Sequence, residues 1–404
     1  MNTISVYVHV PFCTIKCGYC DFNAYAGMDN LKDAYREAVV AEITAARPLL
    51  QGRTIGTVAF GGGTPGEIPA SDIAAMLAAL RSAAPFVPGA EVSLEANPGT
   101  TGAGQLRDLA RAGVNRVSFG AQSFDPAELR FLDRIHSPEA TGQSVNNARA
   151  AGVPSIGLDL IYGLPGQRPE TFERSVRRAV GLGVDHLSLY ALTVEEGTML
   201  ARRVADGEVT PLDADEVAEL YELGGDLLAG AGFEQYEISN WARPGHRPVH
   251  NQVYWTNGEY LAIGAGAHGY VNGERYENVA HPRAYIARLE SAPAGDARPA
   301  LMRAYVPDTA TAMFDWVTLA LRRLEGFDAE AFEARFGLTL DEALGEPLAE
   351  AEAAGVLSRD GNVRLTRQGR LLHGEVAVRI LAYLQSPGRE RLAPTDPAPT
   401  GAAR

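Results

Sequence analysis

Three cysteines within eight positions are the residues of this chain whose type and spacing point most directly to chemistry. Cys13, Cys17 and Cys20 are spaced Cys-x3-Cys-x2-Cys, and no other cysteine occurs among the 404 residues. Thiolates bind zinc and iron–sulfur clusters, and an ordinary [4Fe–4S] cluster takes four of them from its protein. Three thiolates would leave one iron open to a further ligand. Buried free thiols and a zinc site of three Cys and one His are the alternatives, although zinc sites usually show two paired clusters.

Glycines and polar side chains recur where apolar runs of the chain end. Gly61-Gly62-Gly63-Thr64-Pro65 follows the second such run, and glycines allow a ligand to approach the backbone closely. Glu95, Gln122 and Asp159 fall at the third, fourth and fifth runs. A polar side chain in these positions needs a partner, because burying it unpaired is costly. Either a structural hydrogen bond or a bound cofactor would supply that partner.

Six apolar runs alternate with segments of helical periodicity, which predicts an α/β fold built as a partial (β/α)6 barrel of the TIM type. The runs are 4–10, 54–60, 91–96, 114–119, 155–162 and 184–192, and the helical segments are 31–50, 71–84, 104–112, 138–151, 169–181 and 213–230. Ser71 is the expected N-cap of the second helix. Chemistry in such barrels gathers at the C-terminal ends of the strands. We therefore expect the cysteines, glycines and polar side chains to converge on one mouth.

The rest of the chain predicts a smaller C-terminal α+β domain. The expected divisions are a barrel at 1–235, a barrel-closing segment at 236–295, a domain at 300–385 and a disordered tail at 386–404. Residues 234–248 are expected to be a loop. In the C-terminal domain, helical patterns precede two short strands joined by Asp360-Gly361, an order that resembles a winged-helix unit. Gly264-Ala-Gly266-Ala-His-Gly269 opens no helical pattern, so a nicotinamide site is not expected there.

Composition narrows the classes of function. The chain has 46% hydrophobic and 21% charged residues, which is typical of a globular protein. Its net charge of −14 argues against wrapping nucleic acid, which needs a basic face. We expect no signal peptide and no transmembrane segment, because neither pattern is visible. Three cysteines without a disulfide framework favour a reducing cytoplasm.

The cysteine spacing resembles the signature of the radical S-adenosylmethionine (SAM) superfamily, with Tyr19 before the last cysteine. The resemblance implies a radical-SAM barrel in which the three cysteines hold a [4Fe–4S] cluster. The open iron would take the amino and carboxylate groups of SAM, and the glycine loop would hold the methionine part. The residues that the resemblance places in the SAM pocket are Tyr7, Tyr19, Gly62, Gly63, Thr64, Glu95, Gln122, Arg134 and Asp159.

Longer segments narrow the resemblance to the oxygen-independent coproporphyrinogen III oxidase group. Tyr7-Val-His-Val-Pro-Phe-Cys13, Asn115-Arg-Val-Ser-Phe-Gly-Ala-Gln122 and Asp159-Leu-Ile-Tyr-Gly-Leu-Pro-Gly-Gln167 carry it. Oxidases of the group have a further cysteine two residues after the third ligand, where this chain has Phe22. They also begin with a longer N-terminal extension. These departures put oxidase activity in doubt.

A second signature, His250-Asn-Gln-Val-Tyr254-Trp255, resembles the HemW-type heme chaperones of the same group. It implies heme as a further cofactor, with His250 as its ligand, although His246 and His268 compete for that role. Tyr254 and Trp255 could stack on the porphyrin. Arg243 and Arg247 could pair with its propionates. A histidine held in the core or at the surface by a carbonyl is the alternative for His250.

Two functions follow from the resemblance. The first is a carrier that binds heme and transfers it to an acceptor protein, using the cluster and SAM for binding, release or switching. The second is an enzyme that uses SAM-derived radicals to decarboxylate two propionates of coproporphyrinogen III, or to act on another substrate. A flavodoxin-type electron donor is implied wherever SAM is cleaved.

Overall fold

A computed structural model describes residues 2–387 of the chain, which form two compact units. The first unit comprises the described residues up to Gln235, together with Ser239–Asn251 and Glu259–Ala304. The second comprises Tyr236–Ile238, Gln252–Gly258 and the described residues from Tyr305 onwards. The tail expected at 386–404 lies outside the described residues except for its first two positions.

Six parallel strands form the centre of the first unit, and they confirm the α/β core that the apolar runs predict. They are β1 (Asn2–Val10), β2 (Arg53–Gly62), β3 (Phe86–Ala96), β4 (Arg116–Gln122), β5 (Ser155–Tyr162) and β6 (His186–Ala191), and they lie side by side in chain order. Val8, His9 and Val10 are all buried, as a parallel strand covered on both faces requires. Each strand starts and ends within a few residues of its predicted bounds, except that β3 starts at Phe86 and not at residue 91.

Helices follow the strands and cover the sheet with their apolar faces. In the first unit they are Lys32–Ala45, Arg47–Leu50, Ala70–Ala83, Ala103–Ala112, Pro126–Phe131, Pro138–Ala150, Pro169–Gly181, Met199–Ala205, Ala214–Gly230, Val249–Trp255 (which continues into the second unit) and Pro282–Glu290. The expected N-cap at Ser71 is wrong, because the helix already begins at Ala70 and Pro69 precedes it without a side-chain cap. Met199–Ala205, like Pro126–Phe131, lies outside the six predicted helical segments.

Six further strands extend the sheet at both edges. They are β7 (Glu234–Glu237), β8 (Asn240–Ala242), β9 (Tyr260–Ile263), β10 (His268–Val271), β11 (Glu274–Asn278) and β12 (Leu301–Tyr305), and the whole order is β12-β11-β10-β9-β1-β2-β3-β4-β5-β6-β8-β7. Strand β9 runs parallel to β1, whereas β8 runs antiparallel to β6. The loop expected at 234–248 is therefore wrong, since β7 and β8 lie within it. Such short edge strands carry too few residues for a periodic signal.

The second unit has its own core of helices and one short hairpin, and it confirms the predicted α+β organisation. Its helices are Thr309–Leu321, Ala329–Phe336, Leu340–Ala353, Arg367–Leu371 and His373–Leu384, and its hairpin strands are Leu357–Ser358 and Arg364–Leu365. Trp316 packs edge-on against Phe327, Phe332 and Phe336 in that core. None of the helices described between residues 2 and 387 is both long and apolar enough to cross a bilayer.

Candidate functional site

A cavity of about 430 Å³ opens where the six parallel strands end. Eleven of the residues expected to bind the cluster or SAM line it, namely Cys13, Cys17, Tyr19, Cys20, Gly62, Gly63, Thr64, Glu95, Gln122, Arg134 and Asp159. They come from the ends of β1 to β5 and from the segments that follow them. Residues from distant parts of the chain therefore meet around one space, as expected for parallel strands that end at the same edge.

The glycine loop is bonded to the segment that leads into the cysteines. The Gly63 amide donates to the Val10 carbonyl at 2.8 Å, and the Thr64 amide donates to the Phe12 carbonyl at 2.8 Å. A Cβ on Gly63 would stand 2.7 Å from the Phe12 carbonyl oxygen, so only glycine permits this approach. The Thr64 hydroxyl then lies 3.3 Å from the Cys13 thiol. The loop thus fixes the position of the first cysteine.

A turn and a carboxylate hold the middle of the cysteine segment. The Cys20 amide donates to the Cys17 carbonyl at 3.1 Å. Between them, the Gly18 amide donates to Asp133 Oδ2 at 2.9 Å and the Gly18 carbonyl accepts from the Leu200 amide at 2.8 Å. Asp133 could not be predicted to lie here, since it is more than a hundred residues from the cysteines along the chain. Its carboxylate positions the backbone and faces no predicted ligand.

Arg134 joins the cysteine segment to the polar part of the cavity. Its Nη1 lies 3.6 Å from the Cys17 thiol, and its Nη2 donates to the Gly120 carbonyl at 2.8 Å and to Asn97 Oδ1. Its Nε is buried without a hydrogen-bond partner among the described residues. An unpaired guanidinium N–H inside a cavity is costly unless an acceptor arrives. A carboxylate such as that of SAM would be a suitable acceptor.

The thiols fit a cluster better than a single metal ion. No group of three or more His, Cys, Asp or Glu among residues 2–387 is placed to hold one ion. A [4Fe–4S] cluster does not need its thiolates to meet, because each one binds a different iron. Burial raises the pKa of Cys13 to about 11, against a smaller opposing effect of the Thr64 hydrogen bond. The thiolate form would therefore depend on the positive charge of bound iron.

Two acidic side chains form the deep wall of the cavity. Burial raises the pKa of Glu95 to about 7, and the nearby charge of Asp159 adds to the rise. Burial also raises the pKa of Asp159, against hydrogen bonds from Ser188 and Ser118; the Ser118 hydroxyl lies at 3.1 Å. Glu95 is nevertheless exposed to solvent, and it lines the cavity. Both groups can accept hydrogen bonds from a polar ligand and attract a cationic one.

Gln122 reaches the cavity through an unusual backbone conformation. Its φ angle is +60°, and the pairing of β4 with β5 shifts register between Phe119 and Gln122. A bulge of this kind redirects a side chain at the end of a strand. Left-handed backbone in a residue other than glycine is costly and often occurs where a side chain has a function.

Tyr7 lies beside the cavity rather than in its lining. Its hydroxyl pairs with His9 Nδ1 at 3.0 Å, and His9 Nε2 pairs with the Asn23 carbonyl at 2.9 Å. A Cβ on Gly61 would stand 3.0 Å from Tyr7 and 3.1 Å from Glu95, so Gly61 lets these two side chains approach each other. Tyr7 therefore supports the wall that Glu95 belongs to, and through His9 it also contacts the segment after Cys20.

His250, the residue expected to bind heme, lies in the core. His250 is only 2% exposed, and its Nδ1 lies 2.7 Å from the Thr57 hydroxyl on β2. Burial lowers the pKa of His250 to about 4. It lines neither the cysteine cavity nor the smaller one beneath it. This geometry corresponds to the core histidine that the sequence left open as the alternative.

The proposed partners of that histidine are engaged elsewhere. The Arg322 guanidinium lies 4.5 Å from the ring centre of Trp255, and Arg243 stacks on Phe233 at 4.6 Å. Arg247 pairs with Glu234 at 3.2 Å. The two competing histidines are also apart from the cavity, since His246 faces Ser155 and His268 lies near Glu277. The motif therefore contributes to packing in this structure.

A buried network that the sequence did not indicate supports the cysteine segment from behind. Asn23 follows the third cysteine and donates to the carbonyls of Ala265 and Ala280, both at 2.9 Å. The Ala265 amide donates to the Tyr35 hydroxyl at 2.8 Å. Next to it, the Gly264 amide donates to Glu42 Oε2 at 2.8 Å. The glycine-rich segment rejected as a nicotinamide site is thus a turn against which the cysteine segment packs.

Comparisons with known proteins identify the family and the fold. The Radical SAM superfamily model matches residues 7–179, and the HemN C-terminal domain model matches residues 308–372. The solved coproporphyrinogen III oxidase HemN from Escherichia coli superposes with a TM-score of 0.82 at 24% identity, covering 95% of this chain and 91% of that one. At that identity the likeness shows the fold.

Relatives at higher identity show the family. The heme chaperone HemW of Mycobacterium tuberculosis is 45% identical over 71% of this chain and 74% of its own length. The heme chaperone HemW of Bacillus subtilis is 34% identical over 92% of this chain and 97% of its own length. The heme chaperone HemW of Escherichia coli is 39% identical over 70% of this chain and 75% of its own length. With a radical-SAM core and a HemN-type C-terminal domain in one chain, this protein belongs to the HemW heme chaperone family of radical SAM proteins.

Proposed function

We propose that this protein binds heme and transfers it to an acceptor protein. The observation that carries the proposal is the 34–45% identity to HemW heme chaperones over most of the chain. Phe22 also favours a chaperone over an oxidase, because oxidases of the group have a cysteine at this position. The cysteines and the SAM pocket lie in one cavity, so occupancy of that cavity is a means of controlling binding or release.

The residues present fit a cluster and SAM. Cys13, Cys17 and Cys20 would hold a [4Fe–4S] cluster, and the cluster would offer an open iron to SAM. Arg134 would use its unpaired Nε to pair with the carboxylate of SAM. The loop Gly62-Gly63-Thr64 would offer backbone groups to the methionine part. Glu95, Gln122 and Asp159 would accept and donate hydrogen bonds along the rest of the cofactor, and Tyr19 would close one side.

The partners follow from this function. Heme is the cargo, and a heme-binding protein is the acceptor. A flavodoxin-type donor would be needed only where SAM is cleaved. The acidic chain is not expected to bind nucleic acid. We place the protein in the cytoplasm, where a reducing environment keeps the cysteine thiols available.

The test is a hemin titration of the full chain after anaerobic reconstitution of its cluster. Binding should give a saturable Soret band, and the loaded protein should then transfer heme to an apo heme protein such as apomyoglobin. A protein with an intact cluster that gives no Soret band would overturn the proposal. Formation of protoporphyrinogen from coproporphyrinogen III would instead favour the oxidase.

Replacing Glu95 with glutamine should weaken SAM binding about tenfold, because a charge-assisted hydrogen bond is worth about 1.5–3 kcal/mol. The effect should depend on pH. SAM carries a net positive charge, and the pKa of Glu95 is about 7 in the folded chain. Wild-type affinity should therefore rise as the pH passes through about 7, when Glu95 ionises.

The measurement is the dissociation constant of SAM between pH 6 and 8.5, with the ratio of variant to wild type as the readout. Ionisation of the SAM amino group affects both dissociation constants equally, so its effect cancels in the ratio. Glu195→Gln is the matched control, since Glu195 lines the same cavity but is not among the residues assigned to SAM. A ratio that does not change with pH would contradict the assigned role of Glu95.

A further inference from the structure

Three large apolar side chains at the mouth of the cysteine cavity have no role in the site described so far. Ile15 is 45% exposed, Phe22 is 64% exposed and Tyr190 is 42% exposed. All three line the cavity. Single exposed apolar residues are common, but a group that lines one cavity indicates a binding surface. We call Ile15, Phe22 and Tyr190 the apolar rim.

The apolar rim is built on the elements that hold the cluster and SAM residues. Ile15 lies between the first two cysteines, Phe22 lies two residues after the third, and Tyr190 lies near the end of β6. A ligand that covered the rim would lie over the mouth of the SAM pocket. Two of the three side chains are aromatic, so they can stack on a flat apolar ligand.

A cation lies within the same surface. Lys16 lines the cavity, and its ammonium donates to the Phe22 carbonyl at 3.1 Å. The chain contains only two lysines, the other being Lys32. The positive charge of Lys16 at the mouth is therefore not part of a lysine-rich surface. Asp21 and Glu195 also line the cavity and carry the opposite charge, so an anionic group of a ligand would be directed towards Lys16.

The space beneath the mouth does not suit a large anionic ligand. A second cavity of about 90 Å³ lies on the inner side of the strands and is lined by Glu91, Glu95 and Asp159, with Arg116 already paired to Glu91 at 2.9 Å. Pockets for drug-sized ligands measure about 300–1,000 Å³. This second cavity is therefore too small for a macrocycle, and the cavity of about 430 Å³ is the space assigned to the cluster and SAM. A macrocycle therefore fits the mouth.

We propose that heme lies across the mouth of the cysteine cavity, with its macrocycle against Ile15, Phe22 and Tyr190 and a propionate beside Lys16. The inference rests on the proposed heme-chaperone function and assigns that function a surface. Heme has a flat apolar face and an anionic edge, which are the two properties that the apolar rim and Lys16 match. Bound there, heme would cover the route by which SAM enters and leaves.

The first experiment is a hemin titration of the reconstituted full chain carrying Phe22→Ser and Tyr190→Ser together. Heme affinity should fall at least about tenfold, since each lost apolar contact costs about 1 kcal/mol or more. The matched control is Met302→Ser with Tyr305→Ser, which removes two side chains of similar exposure away from the cavity. Cluster content and SAM affinity are measured in every variant. Equal heme affinity in the rim variant and in wild type would overturn the inference.

Two further measurements do not depend on the folding of that double variant. Lys16→Glu should weaken heme binding several-fold, and Lys16→Arg should retain it, because only the charge is needed. In the wild type, saturating heme should slow the dissociation of SAM, measured by chasing labelled SAM with unlabelled SAM. Unchanged SAM dissociation would contradict heme at the mouth. A wild type that binds no heme at all would instead overturn the proposed function.

Discussion

Replacing Cys17 with alanine should remove the iron–sulfur cluster completely. The chain has three cysteines, all of them in the lining of one cavity, and no other thiol can take over. Two thiolates would then have to hold four irons, one of which is already open. Anaerobically reconstituted wild type should contain iron and inorganic sulfide in equal amounts, about four of each per chain. The variant should contain neither above background.

The three cysteines should also behave as one unit. Cys13→Ala, Cys17→Ala and Cys20→Ala should each lose as much cluster as the triple variant, because ligands of one centre are not additive. Far-UV circular dichroism checks that each variant still folds. Zinc in place of iron and sulfide in the wild type would contradict the cluster. Retention of the cluster in any single variant would remove that cysteine from the ligand set.

The strand-end residues could be predicted because two simple rules combine. Apolar runs of the length of β1, β2 and β5 are specific for buried parallel strands, and parallel strands end at the same edge. Glu95 and Asp159, which are 64 positions apart in the chain, therefore had to meet once their strands were assigned. The same rules cannot give side-chain conformation. The left-handed backbone of Gln122 comes from a bulge that no periodicity reveals.

The heme expectation at His250 illustrates a different limit. Histidine is a common heme ligand, but its type alone favoured a core or surface histidine, and only the motif that resembles the heme chaperones predicted heme binding. Burial decides the role, and burial depends on where Thr57 on β2 lies relative to the helix Val249–Trp255. That relation joins positions nearly two hundred residues apart. The apolar rim was not predicted, because a single exposed residue such as Phe22 does not indicate a binding surface. The structure is needed to show that other exposed apolar residues line the same cavity.

Asn23 and Glu42 were missed because their partners are distant in sequence. The carboxylate of Glu42 accepts from the Gly264 amide at 2.8 Å, from Asn278 Nδ2 at 2.7 Å and from the Tyr285 hydroxyl at 2.5 Å. Each partner lies more than 220 residues away along the chain. In the sequence, Glu42 is one acidic residue on an amphipathic helix and is indistinguishable from exposed neighbours such as Glu37.

Replacing Glu42 with alanine should destabilise the first unit by at least about 3 kcal/mol, because three buried donors would lose their acceptor at about 1–3 kcal/mol each. It should also speed loss of the cluster to a chelator, since the Gly264-Ala265 turn holds Asn23 behind the cysteines. Glu37→Ala is the matched control on the same helix, where the side chain is 73% exposed. Its unfolding midpoint in urea and its rate of cluster loss should equal those of wild type.

The pH dependence of Glu42→Gln separates the charge of Glu42 from its shape. Burial raises the pKa of Glu42 to about 7 from an ordinary 4.5, against the hydrogen bonds that oppose it. Between those values the folded chain holds a proton that the unfolded chain has released, so stability is full below about pH 4.5 and falls as the pH rises through about 7. The fall is about 3 kcal/mol for such a shift.

Glutamine cannot ionise, so the wild type's advantage over Glu42→Gln in urea unfolding should shrink by that amount from pH 5 to pH 8. An advantage that stays constant or grows with pH would mean that Glu42 is ionised in the folded chain, held by its three donors as an anion.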